Sequence, residues 1–184
     1  MDKKDLYDAS HYSLSDGDIK KYLGSGTKII KYEELDKYNS ITELLPNDKD
    51  FVVLLFEREP DVGHWVCVIR NKKSILYFDP YGNRVDKIMV WNSNYMNKKL
   101  GQDFPYLSWL LNKAVDDGFK VTFSEVKFQD EKSNFTTCGR WVCSVCFYFM
   151  HNEHPTLRGF YNKIVDLGRK FELVPDLVVT KIME

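Results

Sequence analysis

Cys138 closes the polar run Ser133-Asn134-Phe135-Thr136-Thr137, is followed by Gly139, and opens an apolar stretch over residues 141–150. A cysteine at a helix start faces peptide N–H groups that lack intrahelical partners and the positive end of the helix dipole. Both favour thiolate over thiol, and both can hold a developing oxyanion. Acyl transfer needs these two services at one point. Gly139, without a Cβ, would let a substrate backbone approach the sulfur. The competing assignment is a small buried thiol, the ordinary fate of a free cysteine. The partners available to Cys138 must decide between them.

A thiol with a reference pKa of about 8.5 needs a base or a cation beside it at neutral pH. The chain has four histidines. His11 lies in the polar N-terminal tail, where solvation is expected, and His151 and His154 lie near the far end of the Cys138 helix. His64 opens a strand after the loop Pro60-Asp61-Val62-Gly63, a place from which an imidazole can project into a cleft. The following strand ends in Phe78-Asp79-Pro80-Tyr81-Gly82. Strand pairing brings Asp79 near His64, where a carboxylate can hold the ring N–H and fix the tautomer. Asp, Pro and Gly at these positions are also the signature of a type I turn, and a turn that pins Asp79 would orient it. Gln129, nine positions before Cys138, offers an amide that could join the Cys138 N–H in polarising a carbonyl.

These side chains need a scaffold. Residues 51–56 form a branched apolar run between charged segments and predict a buried strand. Residues 64–70 and 74–79 predict two more, joined by Asn71-Lys72-Lys73 as a tight hairpin. Residues 104–117 carry Leu107, Leu110, Leu111, Ala114 and Val115 at helical spacing and end at Gly118, and alternation over 119–126 predicts a further strand. Helices are expected from 139 to about 151 and from Pro155 to Leu167, with Gly168 as the stop. A short capped helix follows Ser15 and closes at Gly24-Ser25-Gly26. Residues 171–183 fit either a strand broken at Pro175 or a helix beginning there. The sum is an α+β fold with a central mixed, mostly antiparallel sheet carrying His64 and Asp79 and packed on helices concentrated in the second half.

At 184 residues and 43% hydrophobic, the chain suits one domain over residues 1–184, with 1–26 as a helical N-terminal extension. Lys and Arg total 26 against 27 Asp and Glu, and the lysine pairs are scattered, so composition provides no strong field for nucleic acid. Neither a signal-like segment nor a bilayer-length apolar run is present, and an intracellular protein with reduced thiols is expected. Cys143-x2-Cys146 with His151-x2-His154 has zinc-ligand types. The four residues between the pairs are too few for the usual sites, and both cysteines lie in a buried helix, so no metal is expected.

The ordered set His64-Trp65, Phe78-Asp79-Pro80-Tyr81-Gly82, Gln129 and Thr137-Cys138-Gly139-Arg140-Trp141 resembles the clan of cysteine proteases that holds the adenovirus maturation protease (adenain) and the SUMO-type proteases. The likeness covers residues 50–150 and is nearest to viral maturation proteases of the virophage and polinton type. The Gln129 to Cys138 separation is longer than the clan's usual one. The resemblance implies a Cys138-His64-Asp79 triad, an oxyanion hole from Gln129 and the Cys138 N–H, and a narrow channel at Trp65 and Gly139 that admits small, glycine-type residues. It further implies capsid or scaffold precursors as substrates during virion maturation, with the enzyme in host cytoplasm, virus factory and virion, monomeric and without membrane contact. It implies no cofactor, although the adenovirus relative uses a peptide and DNA as activators, and whether DNA is a partner here stays open. Cleavage of ubiquitin-like modifiers, protein acyl transfer, and a catalytically inactive binding module are the alternatives.

Overall fold

The computed structural model describes residues 2–124, 126–130 and 133–183. In chain order the elements are α1 (Lys3–Ser10), α2 (Asp16–Leu23), β1 (Ile29–Lys31), α3 (Ile41–Leu44), β2 (Phe51–Glu59), β3 (Val62–Asn71), β4 (Ser74–Phe78), α4 (Asn94–Lys99), α5 (Tyr106–Asp116), β5 (Lys120–Phe123), α6 (Cys138–His151), α7 (Leu157–Phe171) and α8 (Pro175–Ile182). The class is α+β. One five-stranded sheet runs in sequence order, with β2, β3 and β4 antiparallel and the outer pairs β1/β2 and β4/β5 parallel. The sheet is mixed and, by paired positions, mostly antiparallel, as expected, because the two long central ladders β2/β3 and β3/β4 outweigh the short parallel edges. The strand predicted over 119–126 is shorter, and it lies beside β4 because α5 intervenes and returns the chain in the same direction; its position 125 lies outside the described residues.

Alternate residues of the central strands serve two cores. Val53, Leu55, Trp65, Cys67, Ile69, Leu76 and Phe78 pack with α2, α6, α7 and α8. Val52, Leu54, Phe56, Val66, Val68, Ile75 and Tyr77 pack with α3, α5 and the turn holding Tyr32 and Leu35. A strand covered on both faces has no polar phase, which is why residues 51–56 read as a continuous apolar run. Helices α1 and α2 precede the sheet, α2 being the short capped helix expected after Ser15. Helix α7 continues through Gly168 and ends at Glu172, which takes the left-handed conformation (φ 53°). Gly168 contributes instead by accepting from Glu172 N–H and Leu173 N–H as the chain folds back. Within 171–183 the second of the two expected outcomes holds: α7 ends at Phe171 and a helix, α8, begins at Pro175, in the first turn, where a missing N–H costs nothing.

The His64 end of the β2/β3 ladder carries a register shift between Glu57 and Glu59. Gly63 sits there opposite Glu57, and a Cβ on it would stand 1.9 Å from the Phe56 carbonyl oxygen. Only glycine lets the two backbones approach this closely beside His64. Gln102 fixes the same edge: its Oε1 accepts from Glu57 N–H at 3.0 Å and its Nε2 donates to Glu57 O at 2.7 Å. Gln102 therefore serves the sheet.

Candidate active site

Asp79 follows β4 directly, and its place is set by its own turn. Gly82 N–H donates to Asp79 O at 2.8 Å and Tyr81 N–H donates to Asp79 Oδ1 at 2.8 Å. From the other side Asp79 N–H donates to Ser124 Oγ, and that hydroxyl donates to Asp79 O, both at 2.9 Å. The turn and the carboxylate partner read from the sequence are therefore one device. His64 Nε2 lies 2.8 Å from Asp79 Oδ1, with both side chains buried. Asp79 takes Nε2, so Nδ1 is the ring nitrogen left for Cys138, which opens α6 beside it.

Electrostatics follow from this contact. Burial alone would raise the Cys138 thiol, but the His64 hydrogen bond and charge, with N–H groups of Trp65 and Gly139 directed at the sulfur, bring it below its ordinary 9.0. Burial alone would lower His64; bonds to Asp79 and Cys138 outweigh it and raise the imidazole to about 9. The opposed shifts both favour the thiolate–imidazolium pair over thiol and neutral imidazole. Asp79 Oδ2 has no hydrogen-bond partner among the described residues, so the carboxylate's hydrogen bonding is concentrated on Oδ1.

His64 and Cys138 line a cleft of about 460 Å³ together with Ser13, Arg58, Gly63, Tyr81, Trp91, Phe135 and Thr136. The Tyr81 ring stacks on the imidazole with centroids 4.6 Å apart and planes 10° from parallel, and Trp91 meets it edge-on at 5.5 Å. Arg58 lies 5.9 Å over Trp91. An apolar groove of similar volume, about 450 Å³, follows the C-terminal half of α6, with the buried Cys143 in its lining.

Other expectations change. Trp65 is buried, and its Nε1 donates to Leu14 O at 2.9 Å, so its indole braces the N-terminal segment and does not line the cleft. Gly139 faces the same segment: a Cβ there would lie 3.0 Å from Leu14 Cβ and 3.2 Å from Trp65 Cδ1. Its small size serves packing under α6, not the approach of a substrate. Gln129 is buried and its Nε2 donates to Phe135 O at 2.8 Å, so this amide holds the loop ahead of Cys138. His11 is not solvated but half-buried, its ring 4.5 Å from Tyr7 and 5.6 Å from Phe135. Cys143 and Cys146 are buried thiols, both raised by burial, and among the described residues no cluster of three or more His, Cys, Asp or Glu side chains could hold a metal.

Three features escaped sequence reading. Residues 10–14 form a strap across the site: Ser10 O accepts from Thr136 N–H at 2.9 Å, Tyr12 O from Arg140 Nη1 at 2.6 Å, and Leu14 O from Trp65 Nε1 at 2.9 Å. Trp91, between β4 and α4, walls the imidazole. Asp176, on α8, accepts from Thr137 Oγ1 and from Trp141 Nε1, the latter at 2.9 Å. Ser13 and Trp91 have no local signal, whereas an Asp after Pro175 in an apolar segment could have been flagged as a buried acid.

Over 180 residues, 97% of this chain and 98% of the other, the sequence is 32% identical to an uncharacterized protein of Sputnik virophage, V9. No family model matches. The chain is also similar to two solved structures of the SUMO protease Ulp1. One, with its catalytic cysteine oxidized to a sulfinic acid, is 16% identical and covers 98% of this chain and 84% of that one at a TM-score of 0.42. The other, the C-terminal protease domain in complex with Smt3, the yeast ortholog of SUMO, is 15% identical and covers 98% and 83% at 0.39. At such identity and score the likeness says nothing of substrate or chemistry for this chain.

Proposed function

Because this chain belongs to the family of the Sputnik virophage V9 protein and gathers a thiol, an imidazole and a carboxylate in one cleft, we propose that it is a cysteine endopeptidase that processes viral structural precursors. The single observation that carries the reading is the buried His64 held at 2.8 Å by Asp79 while its other nitrogen faces a Cys138 thiol of lowered pKa at a helix start. In this mechanism the Cys138 thiolate adds to a peptide carbonyl carbon, and the oxyanion forms against the Cys138 N–H at the start of α6. His64 gives its proton to the departing amine as the C–N bond breaks. A water, losing a proton to His64, then hydrolyses the thioester and returns the thiolate. Asp79 keeps the imidazole oriented throughout. Gln129 holds the loop before Cys138 through Phe135 and is not assigned to the oxyanion.

Cleavage after small residues suits a cleft walled closely by Tyr81 and Trp91, and a virophage relative favours capsid or scaffold precursors. The experiment incubates the protein with structural precursors of its own genome and maps new termini by mass spectrometry, with Cys138→Ala as control. New termini that follow small residues and vanish with the variant are the expected result. Titration of Cys138 by an electrophilic peptide without cleavage of any structural precursor would overturn the maturation role. Failure of that titration would overturn the protease itself.

A further inference from the structure

The register shift of β2 falls on Arg58. Phe56 faces His64 and Glu57 faces Gly63, so in unbroken register Val62 would face Arg58; it faces Glu59 instead, which leaves Arg58 as the extra residue of a bulge. A bulge takes its side chain out of the strand's alternation, a device used beside active sites to re-aim a residue. Here the released side chain enters the wall of the cleft that holds His64 and Cys138, its guanidinium 5.9 Å over the Trp91 ring. An indole beneath a guanidinium attracts it through the ring face and leaves its N–H donors to other acceptors. Among the described residues no carboxylate takes them. Neighbouring acids are committed elsewhere: Glu57 and Asp61 share Lys31 Nζ, at 3.0 and 2.9 Å, and Glu57 Oε1 also accepts from Asp61 N–H at 2.6 Å. The Cys138 thiolate is balanced by the His64 imidazolium, and the remaining side chains that line the cleft are neutral. Arg58 therefore sets the sign of the cleft.

The position of Arg58 also decides which half of a substrate it meets. His64 supplies the proton to the departing amine, so the segment that follows the cut leaves past the imidazole. Trp91 meets that ring edge-on at 5.5 Å, and Arg58 lies over Trp91. We propose that Arg58 is a specificity-determining residue that selects substrates with an acidic side chain in the first few residues after the scissile bond. The proposal deepens the endopeptidase reading and rests on it.

The test uses quenched-fluorescence peptides with glycine before the cut and Glu, Gln or Lys at each position after it in turn, assayed with the full-length protein. At the favoured position the Glu peptide is expected to exceed its Gln counterpart about fivefold in kcat/KM, the upper end for a partly exposed ion pair, with the Lys peptide slowest. Added salt narrows the gap, as it does for any solvent-accessible pair. Arg58→Gln levels the Glu and Lys peptides, and Arg58→Glu reverses their order. Arg169→Glu makes the same change of net charge on α7, outside the cleft, and keeps the wild-type order. Each comparison is a ratio between peptides on one protein sample, so a variant that folds less well does not imitate the result. Equal rates for the three peptides in the wild type, or an acidic preference that survives Arg58→Glu, overturns the proposal and leaves the endopeptidase standing. Cleavage of no peptide, with Cys138 also refractory to an electrophilic peptide, overturns both.

Discussion

At the scale of single residues, the decisive quantity is the pair of opposed shifts on Cys138 and His64. Cys138 is lowered, so its thiolate is lost only as pH falls through a value below 9.0; His64 is raised, so its imidazolium persists until pH rises through about 9. The kcat/KM profile is therefore expected to be a bell whose alkaline limb lies near pH 9. Asp79→Asn removes the charge that raises His64. Its expected effect is a fall in kcat/KM on the order of 10²-fold or more, with the alkaline limb moving down toward 6.5. A pH–rate series on a fluorogenic peptide checks both, and an alkaline limb unmoved in the variant would remove Asp79 from the mechanism. These three residues were legible because each stood in a phrase whose type and order matched one chemistry. Gln129 was legible only by type: the Phe135 carbonyl that takes its amide lies in a loop whose path no periodicity encodes. Asp176 acts on Thr137 across 39 positions, a contact set by the docking of α8 and invisible to local spacing.

Among the elements, the central strands and α6 were readable because their apolar residues follow the periods of sheet and helix, and burial on both faces enforces those patterns. The parallel outer strands were not, since pairing direction depends on connections and not on the strand's own residues. The strap at 10–14 left no trace either, because it works through backbone carbonyls that every residue carries. Gly63 shows how closely one element sets the site. With its Cβ direction 1.9 Å from Phe56 O and 2.8 Å from Glu57 Cα, Gly63→Ala forces β2 and β3 apart one residue from His64. The expected outcome is a loss of about 1–3 kcal/mol in denaturant unfolding and a fall in kcat/KM larger than the stability change accounts for. Gly26→Ala, where a Cβ meets open space, is expected to leave both unchanged. Equal behaviour of the two variants would mean that the close crossing does not hold His64.

For the whole molecule, two cores on either side of one sheet divide the thiols into two kinds. Cys67 on β3 and Cys143 and Cys146 on α6 are fully enclosed, while Cys138 alone reaches the cleft. Burial raises Cys143 and Cys146, which keeps them protonated, and a buried thiol reacts only when the structure around it opens. Native protein at neutral pH is therefore expected to bind one equivalent of iodoacetamide rapidly, and Cys138→Ser none. After unfolding in guanidinium the wild type binds four equivalents and the variant three. The slow native labelling of the remaining three should follow global unfolding, accelerating with denaturant at the slope of the equilibrium transition, because Cys67, Cys143 and Cys146 share one core cluster. Intact-mass measurement over time separates these phases. Fast native labelling of a second thiol would mean that α6 opens independently of the sheet, and Cys138 would then sit on a mobile helix instead of one fixed by α8 and the strap.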